Sequence, residues 1–84
     1  MPSFPTTEYF RDTRSRPDRA QILDEWIVKA ITAPVREEVQ SDGRIRRWAR
    51  IPECQNRFLR VILLPGGKTL HNAFFDGSFT GEGR

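Results

Sequence analysis

Residues 35–76 read VREEVQSDGRIRRWARIPECQNRFLRVILLPGGKTLHNAFFD, and this stretch determines the architecture. Runs rich in β-branched and aromatic residues alternate here with short clusters of Pro, Gly, Asp and Ser. This pattern is typical of antiparallel strands joined by hairpin turns. The predicted strands are residues 35–40, 44–51, 58–64 and 69–76, with turns at residues 41–43, 52–57 and 65–68. A four-stranded antiparallel sheet is therefore expected.

A helix is predicted before the sheet. Asp18 is followed three residues later by Gln21, the spacing of a capping box, and Pro34 requires the helix to end just beyond Thr32. Between these limits apolar residues recur at helical spacing on one stripe. The stripe consists of Leu23, Trp26, Ile27, Ala30 and Ile31. The sequence thus predicts an α+β fold, with an N-terminal helix packed on the four-stranded antiparallel sheet.

The length of 84 residues predicts one domain with a modest core. We expect residues 1–16 to form an irregular arm or short edge strand, residues 17–77 the domain, and residues 78–84 a flexible tail. Cys54 is the single cysteine, so an intramolecular disulfide is excluded and a reducing compartment is compatible. Neither a membrane span nor a signal peptide is recognisable. A cytoplasmic protein without membrane contact is expected.

Arginine supplies 12 of the 14 positive side chains, and the formal net charge is +3. Its planar group can grip phosphate or carboxylate through two N–H groups at once, although a GC-rich genome would also explain the count. Residues 44–60 contain six arginines and one acid, Glu53. Two interpretations stay open: a solvated face with ion pairs to Glu37, Glu38 and Asp76, or a surface that binds a polyanion. Nearby aromatic residues favour RNA over duplex DNA.

Tight turns would bring three of the basic residues together. With Gly66 and Gly67 as a two-residue turn, Ile62 faces His71 and Arg60 faces Ala73. Closing the preceding hairpin with Pro52 opposite Arg57 places Arg47 opposite Ile62. A two-residue turn at Asp42 and Gly43 then sets Glu38 opposite Arg47. The predicted face holds Arg47, Arg60 and His71, with Phe58 and Phe75 beside them.

The other face of the sheet is predicted to dock on the helix. It would carry Leu59, Val61, Leu63, Leu70 and Phe74, with Trp48 beside them and with Arg46 and Arg50 extending past the helix to solvent. A slip of one residue in the register would exchange the two faces, because successive side chains of a strand point to opposite sides.

Metal-independent RNA cleavage needs a base, an acid and cations for the charge that develops on phosphate. His71, the single histidine, has the side-chain type that titrates near neutrality, although a lone histidine in a strand is also a common structural residue. One His and one Cys cannot form a zinc site, and no glycine-rich phosphate loop precedes a helix. Neither a metal nor another cofactor is therefore expected.

The order of features in residues 9–79 resembles a group of small bacterial toxins from two-gene toxin–antitoxin modules, related to the RelE and BrnT ribonuclease toxins. The resemblance is carried by Tyr9–Phe10, Arg16–Pro17, Trp26, Pro34, residues 41–48 (SDGRIRRW), residues 59–61 (LRV) and residues 71–76 (HNAFFD). It implies a helical N-terminal part followed by an antiparallel sheet. It also implies cleavage of RNA by residues on the sheet, and neutralisation by a cognate acidic antitoxin protein.

Carried over to this chain, the resemblance implies an endoribonuclease of a type II toxin–antitoxin system. Its catalytic residues would be Arg47, Arg60 and His71, with Asn72 and Asp76 as supporting binding residues. The arginine-rich stretch supplies Arg44, Arg46 and Arg50 as further candidate binding residues. The lysine-rich catalytic face of RelE is absent, since Lys68 is the one lysine in the sheet region, so cleavage would be independent of the ribosome. The alternative function is a module without catalytic activity that binds RNA or an acidic protein.

Overall fold

The computed structural model describes residues 5–77 and Phe79, except for the side chain of Asp18. In this part of the chain the fold is α+β, as predicted, and the four strands form one antiparallel sheet in the order β1-β2-β3-β4. The helices are α1 (Glu8–Arg14), α2 (Pro17–Ala20) and α3 (Asp24–Thr32). The strands are β1 (Arg36–Val39), β2 (Ile45–Ile51), β3 (Arg57–Leu63) and β4 (Leu70–Phe75), and a 3₁₀ turn, Pro52–Cys54, follows β2.

The N-terminal part is more helical than predicted. Where an irregular arm was expected, α1 begins after Thr7, whose hydroxyl accepts a hydrogen bond from the Phe10 N–H. Phe10 is the buried anchor of this helix, whereas Tyr9 is 46% exposed. Thr6 also forms a parallel bridge to Leu70 at the outer edge of β4. The segment therefore combines the short edge pairing that was predicted with a helix that was not.

The predicted helix after residue 16 is divided in two. It begins two residues earlier than predicted, because Pro17 occupies the first helical position with Arg16, not Asp18, as N-cap. The chain leaves the helix at Gln21, buries Ile22, and enters α3 after Leu23. Leu23 is 48% exposed, so its predicted place on the apolar stripe is wrong.

Helices α1 and α3 lie on the same face of the sheet. Phe10, Ile22 and the buried stripe of α3 form one continuous core with alternate residues of β2, β3 and β4. The stripe contributes Ile27, Ala30 and Ile31, and the strands contribute Ala49, Ile51, Leu59, Val61, Leu63, Leu70 and Ala73. The opposite face of the sheet is therefore not covered by this core.

The β1–β2 hairpin has a three-residue loop rather than the predicted two-residue turn. The Gln40 N–H donates to the Arg44 carbonyl at 2.7 Å, and Gly43 takes φ +91°. A glycine in this conformation closes a three-residue hairpin loop with a bulge, which moves the register by one residue. Glu38 accordingly lies opposite Arg46, and Glu37 lies opposite Arg47.

The β2–β3 pairing is also displaced by one residue from the prediction. Ile51, not Pro52, lies opposite Arg57, because the 3₁₀ turn and two left-handed residues, Gln55 and Asn56, span the connection. As a result Arg47 pairs with Val61 and Arg60 pairs with Trp48.

The β3–β4 turn forms as predicted, and the register changes beyond it. The Leu64 N–H donates to the Thr69 carbonyl at 2.9 Å. Leu63 then lies opposite Leu70, but Ile62 lies opposite Asn72, so His71 is an extra residue in β4. Such a β-bulge reverses the alternation that follows it.

These shifts change the composition of both faces. Leu59, Val61, Leu63 and Leu70 face the helices as predicted. The predictions for Trp48 and Phe74 on that side, and for Arg47 and Phe75 on the other, are wrong. We call the surface opposite the helices the open face; it is formed by Arg36, Glu38, Arg46, Trp48, Arg50, Phe58, Arg60, Ile62, Asn72 and Phe74.

Of the predicted tail, residues 78–84, all but Phe79 lie outside the described residues. Within the described ranges no helix has the length and apolar character needed to cross a bilayer.

Candidate functional site

Arg47 contributes to the stability of the fold and does not lie on the open face. Its Nη1 donates to the carbonyl of Ile31 at 2.9 Å, and its Nε donates to Glu37 at 2.6 Å. Ile31 lies in the last turn of α3, where carbonyl groups lack helical partners and a positive charge is favourable. The predicted cluster of Arg47, Arg60 and His71 therefore does not form, since the one-residue register shift places Arg47 and Arg60 on opposite faces.

Replacing Arg47 by Ala should lower the free energy of unfolding by about 1–2 kcal/mol, because the end of α3 loses a charged hydrogen-bond donor. Arg50→Ala is the matched control, since Arg50 is exposed and has no ion-pair partner among the described residues. We expect the control to change stability by less than about 0.5 kcal/mol. Urea unfolding followed by tryptophan fluorescence measures both; equal effects would contradict the assignment.

The centre of the open face is a compact group of one carboxylate, one guanidinium and aromatic rings. Asp76, which directly follows β4, accepts a hydrogen bond from Trp48 Nε1 at 3.0 Å, and its Oδ2 lies 3.6 Å from Arg60 Nε. The Arg60 guanidinium carbon lies 4.6 Å from the centre of the Phe74 ring. The Asp76 side chain is only 8% exposed, so its charge is held by these neighbours rather than by water.

A residue of α2 joins this group around the edge of β4. Arg19 Nη1 donates to Asn72 Oδ1 at 2.7 Å, and its guanidinium carbon lies 5.3 Å from the centre of the Phe74 ring. Phe74 is thus flanked by two cations, those of Arg19 and Arg60. Asn72, predicted to bind a ligand, holds Arg19 in place.

Outer arginines and one carboxylate surround this centre. Glu38 lies 2.8 Å from Arg36 and 3.8 Å from Arg46, so one carboxylate serves two guanidinium groups. Arg50 is exposed and forms no ion pair within the described part of the chain. Among the described strand residues and Asp76, the open face sets Arg36, Arg46, Arg50 and Arg60 against Glu38 and Asp76. The ion pairs expected of a solvated face are present, and Arg50 lies outside them.

His71 belongs to a separate site beside α1. As the extra residue of the bulge it lies with Nδ1 3.0 Å from the Thr7 hydroxyl, and its ring stacks on Tyr9 with 5.0 Å between centres. Burial lowers the pKa of His71 below its ordinary value of 6.5, and the positive charge of Arg44 lowers it further. The neutral imidazole therefore predominates at pH 7. A ring that donates Nδ1–H to Thr7 presents Nε2 as a proton acceptor.

The structure brings five predicted site residues to the open face or its rim: Arg46, Arg50, Arg60, Asn72 and Asp76. Arg44 pairs with Asp42 at 3.6 Å near the β1–β2 loop and influences His71 instead. Sequence reasoning missed the contributions of Trp48, Phe74 and Arg19. A β2–β3 connection with Ile51 opposite Arg57 would have indicated the first of these, because it sets Trp48 opposite Arg60.

The described residues contain no group of three His, Cys, Asp or Glu side chains close enough to hold a metal ion. Comparison of the chain with protein-family models, with curated proteins and with solved structures finds no match.

Proposed function

We propose that this protein binds single-stranded RNA through the open face of its sheet. The observation that carries the proposal is the arrangement around Phe74, where two guanidinium groups lie against an aromatic ring, with the exposed Arg50 on the same face. Guanidinium groups take phosphates, and both aromatic rings and guanidinium planes stack with unpaired bases. The chain's net charge of +3 favours the approach of a polyanion.

Single strands fit this surface better than duplexes do. The open face is a sheet with alternating cationic and aromatic side chains, and the groove of a duplex is instead entered by a projecting helix or ribbon. Helices α1 and α3 are occupied on the other side of the sheet, where they contribute to the core. Stacking with bases requires that the bases are unpaired.

Wild-type protein should bind a fluorescein-labelled unstructured RNA of about twelve nucleotides at least about tenfold more tightly than the same sequence in a duplex. Fluorescence anisotropy at several salt concentrations measures both, and affinity should fall steeply as salt rises, because phosphate contacts release counterions. Absence of binding at low salt, or tighter binding of the duplex, would overturn the proposal.

Cleavage of RNA is a second candidate, in line with the resemblance to ribonuclease toxins of toxin–antitoxin modules. The observation that favours it is the neutral His71, which lies beside Thr7, Tyr9 and the charge of Arg44. RNA that continued from the open face around the edge of β4 would present its 2′-hydroxyl to the imidazole, and Arg44 would stabilise charge on the phosphate. An acidic antitoxin would then neutralise the toxin by covering the arginines of the open face.

If His71 is the base, His71→Ala should reduce RNA cleavage by about 10²–10⁴-fold while RNA binding changes little. Activity of the wild type should be retained at pH 7 and lost as the pH falls through the lowered pKa of His71, because protonation removes the accepting lone pair. Gel analysis of a labelled RNA between pH 5 and 8 measures this. Arg47→Ala is the control, since Arg47 lies on the other face; undiminished cleavage by His71→Ala would remove His71 from the mechanism.

A further inference from the structure

A hollow of about 240 Å³ lies at one end of the sheet, where the β2–β3 connection meets the residues that follow β4. It is next to the open face, since Asp76 belongs to both. The residues that matter for its chemistry are Gln55, Asn56, Arg57, Phe58, Phe75 and Phe79. Its volume is below the roughly 300–1,000 Å³ of sites for drug-sized ligands, so it suits one small planar group.

The walls of the hollow are aromatic. The rings of Phe58 and Phe79 meet edge to face with 5.1 Å between their centres, and Phe79 also stacks on Trp48 at 4.6 Å. Arg57 lies over the ring of Phe75 with 4.4 Å between its guanidinium carbon and the ring centre. These contacts hold the walls in defined positions. A planar ring entering the hollow would therefore meet preformed apolar surfaces.

Two polar side chains line the rim of the hollow, and their backbone adopts an unfavourable conformation. Gln55 and Asn56 both adopt φ +60°, a left-handed conformation that side-chain-bearing residues seldom take and that costs free energy. Their amide groups are exposed beside the hollow. An amide offers a donor and an acceptor together, which matches the edge of a nucleobase. The strained turn thus places base-recognising groups at the entrance to an aromatic site.

Two arginines without an ion-pair partner among the described residues lie next to the hollow, whereas the Asp76 carboxylate that also lines it is engaged by Trp48 and Arg60. Arg57 is exposed and has no ion-pair partner among the described residues. Arg50, the other uncompensated arginine, lies opposite Phe58 in the β2–β3 register. A group that enters the hollow while attached to a phosphate would therefore find cations on both sides.

We infer that this hollow receives one unpaired nucleobase of the RNA, with Arg57 on the adjacent phosphate. The inference rests on the proposed RNA binding by the open face and extends it, because it assigns one nucleotide to a defined site. Phe58 and Phe75 contact the base, the amides of Gln55 and Asn56 bind its edge, and the strand continues across the open face toward Phe74.

The test uses a five-nucleotide RNA and a series in which each position in turn lacks its base. In wild-type protein, abasic substitution at one position should weaken binding by at least about tenfold, because the stacking of a base is lost while its phosphate remains. The other positions should cost markedly less. Fluorescence anisotropy with 5′-labelled RNA measures the whole series.

Two variants connect the penalty to the hollow. Gly77→Leu adds a side chain at a lining position where a Cβ meets no atom within 4 Å, and filling the hollow should abolish the abasic penalty. Asn56→Gly keeps the left-handed backbone and removes the amide, so it should reduce the penalty. Circular dichroism and thermal unfolding establish that both variants are folded.

A flat abasic series in the wild type, with no position costing more than about twofold, would overturn the nucleobase site and leave RNA binding by the open face intact. An abasic penalty that persists unchanged in both folded variants would also overturn it. Failure of the wild type to bind the intact RNA would overturn both proposals.

Discussion

Reversal of two charges on the open face, in the variant Arg46→Glu/Arg50→Glu, should weaken RNA binding by about a hundredfold at low salt. Each arginine that contacts a phosphate contributes through counterion release, and a glutamate in its place adds repulsion. Both side chains are at least partly exposed, and the one carboxylate near Arg46 keeps Arg36 as a partner. Stability should therefore change by less than about 1 kcal/mol.

The control is Arg16→Glu/Lys68→Glu, which changes the net charge equally at two exposed positions outside the open face. We expect this control to retain RNA affinity within about fivefold, because long-range charge alone is screened by salt. The slope of log affinity against log salt should decrease by about two in the open-face variant and little in the control. Similar losses in both variants would indicate attraction by net charge without a defined surface.

Replacement of Asp76 by Ala should lower the free energy of unfolding by about 2–4 kcal/mol. The substitution leaves Trp48 Nε1 without its acceptor at 3.0 Å and leaves Arg60 beside two aromatic rings without a carboxylate. An unpaired charge and an unpaired donor in a poorly solvated place both destabilise the folded state. The 8% exposure of Asp76 prevents water from replacing the lost oxygen without rearrangement.

Asp76→Asn separates the two contributions. The amide oxygen can still accept from Trp48, whereas the attraction to Arg60 is lost, so the expected cost is about 1–2 kcal/mol. Chemical denaturation followed by tryptophan fluorescence measures both variants, because Trp48 itself reports on this contact. Equal effects of Ala and Asn would show that the charge alone matters, and no effect of either would contradict the described role of Asp76.

The sequence was sufficient to predict the elements of the sheet but not which side chains share a face. Strand boundaries agree within two residues, because alternating runs and turn residues mark them locally. Register depends on loop length. Gly43 can close either a two-residue or a three-residue loop. The left-handed conformation of Gln55 and Asn56 could not be predicted, because neither residue is a glycine. A difference of one residue in the length of a connection was enough to move side chains from one face of the sheet to the other.

Of the helices, α3 could be predicted from the sequence, whereas α1 could not. The stripe of α3 was predicted because its apolar residues recur at helical spacing, and Ile27, Ala30 and Ile31 are indeed buried. α1 was missed, since its seven residues are mostly polar and only Phe10 and Thr13 are buried. Such a short helix gains its stability from packing on β4, which a local pattern does not contain. The bulge at His71 is likewise a tertiary feature that separates the predicted catalytic trio.

The pairing of Thr6 with Leu70 and the contact of Thr7 with His71 connect residues that are 64 positions apart. At roughly 5–20 residues per second, a ribosome takes about 3–13 s to add that much chain. During this interval α1 is exposed without the strand on which Phe10 is buried. Native structure can thus close only after β4 has been synthesised, and a nascent chain halted before β4 would display its apolar residues to chaperones.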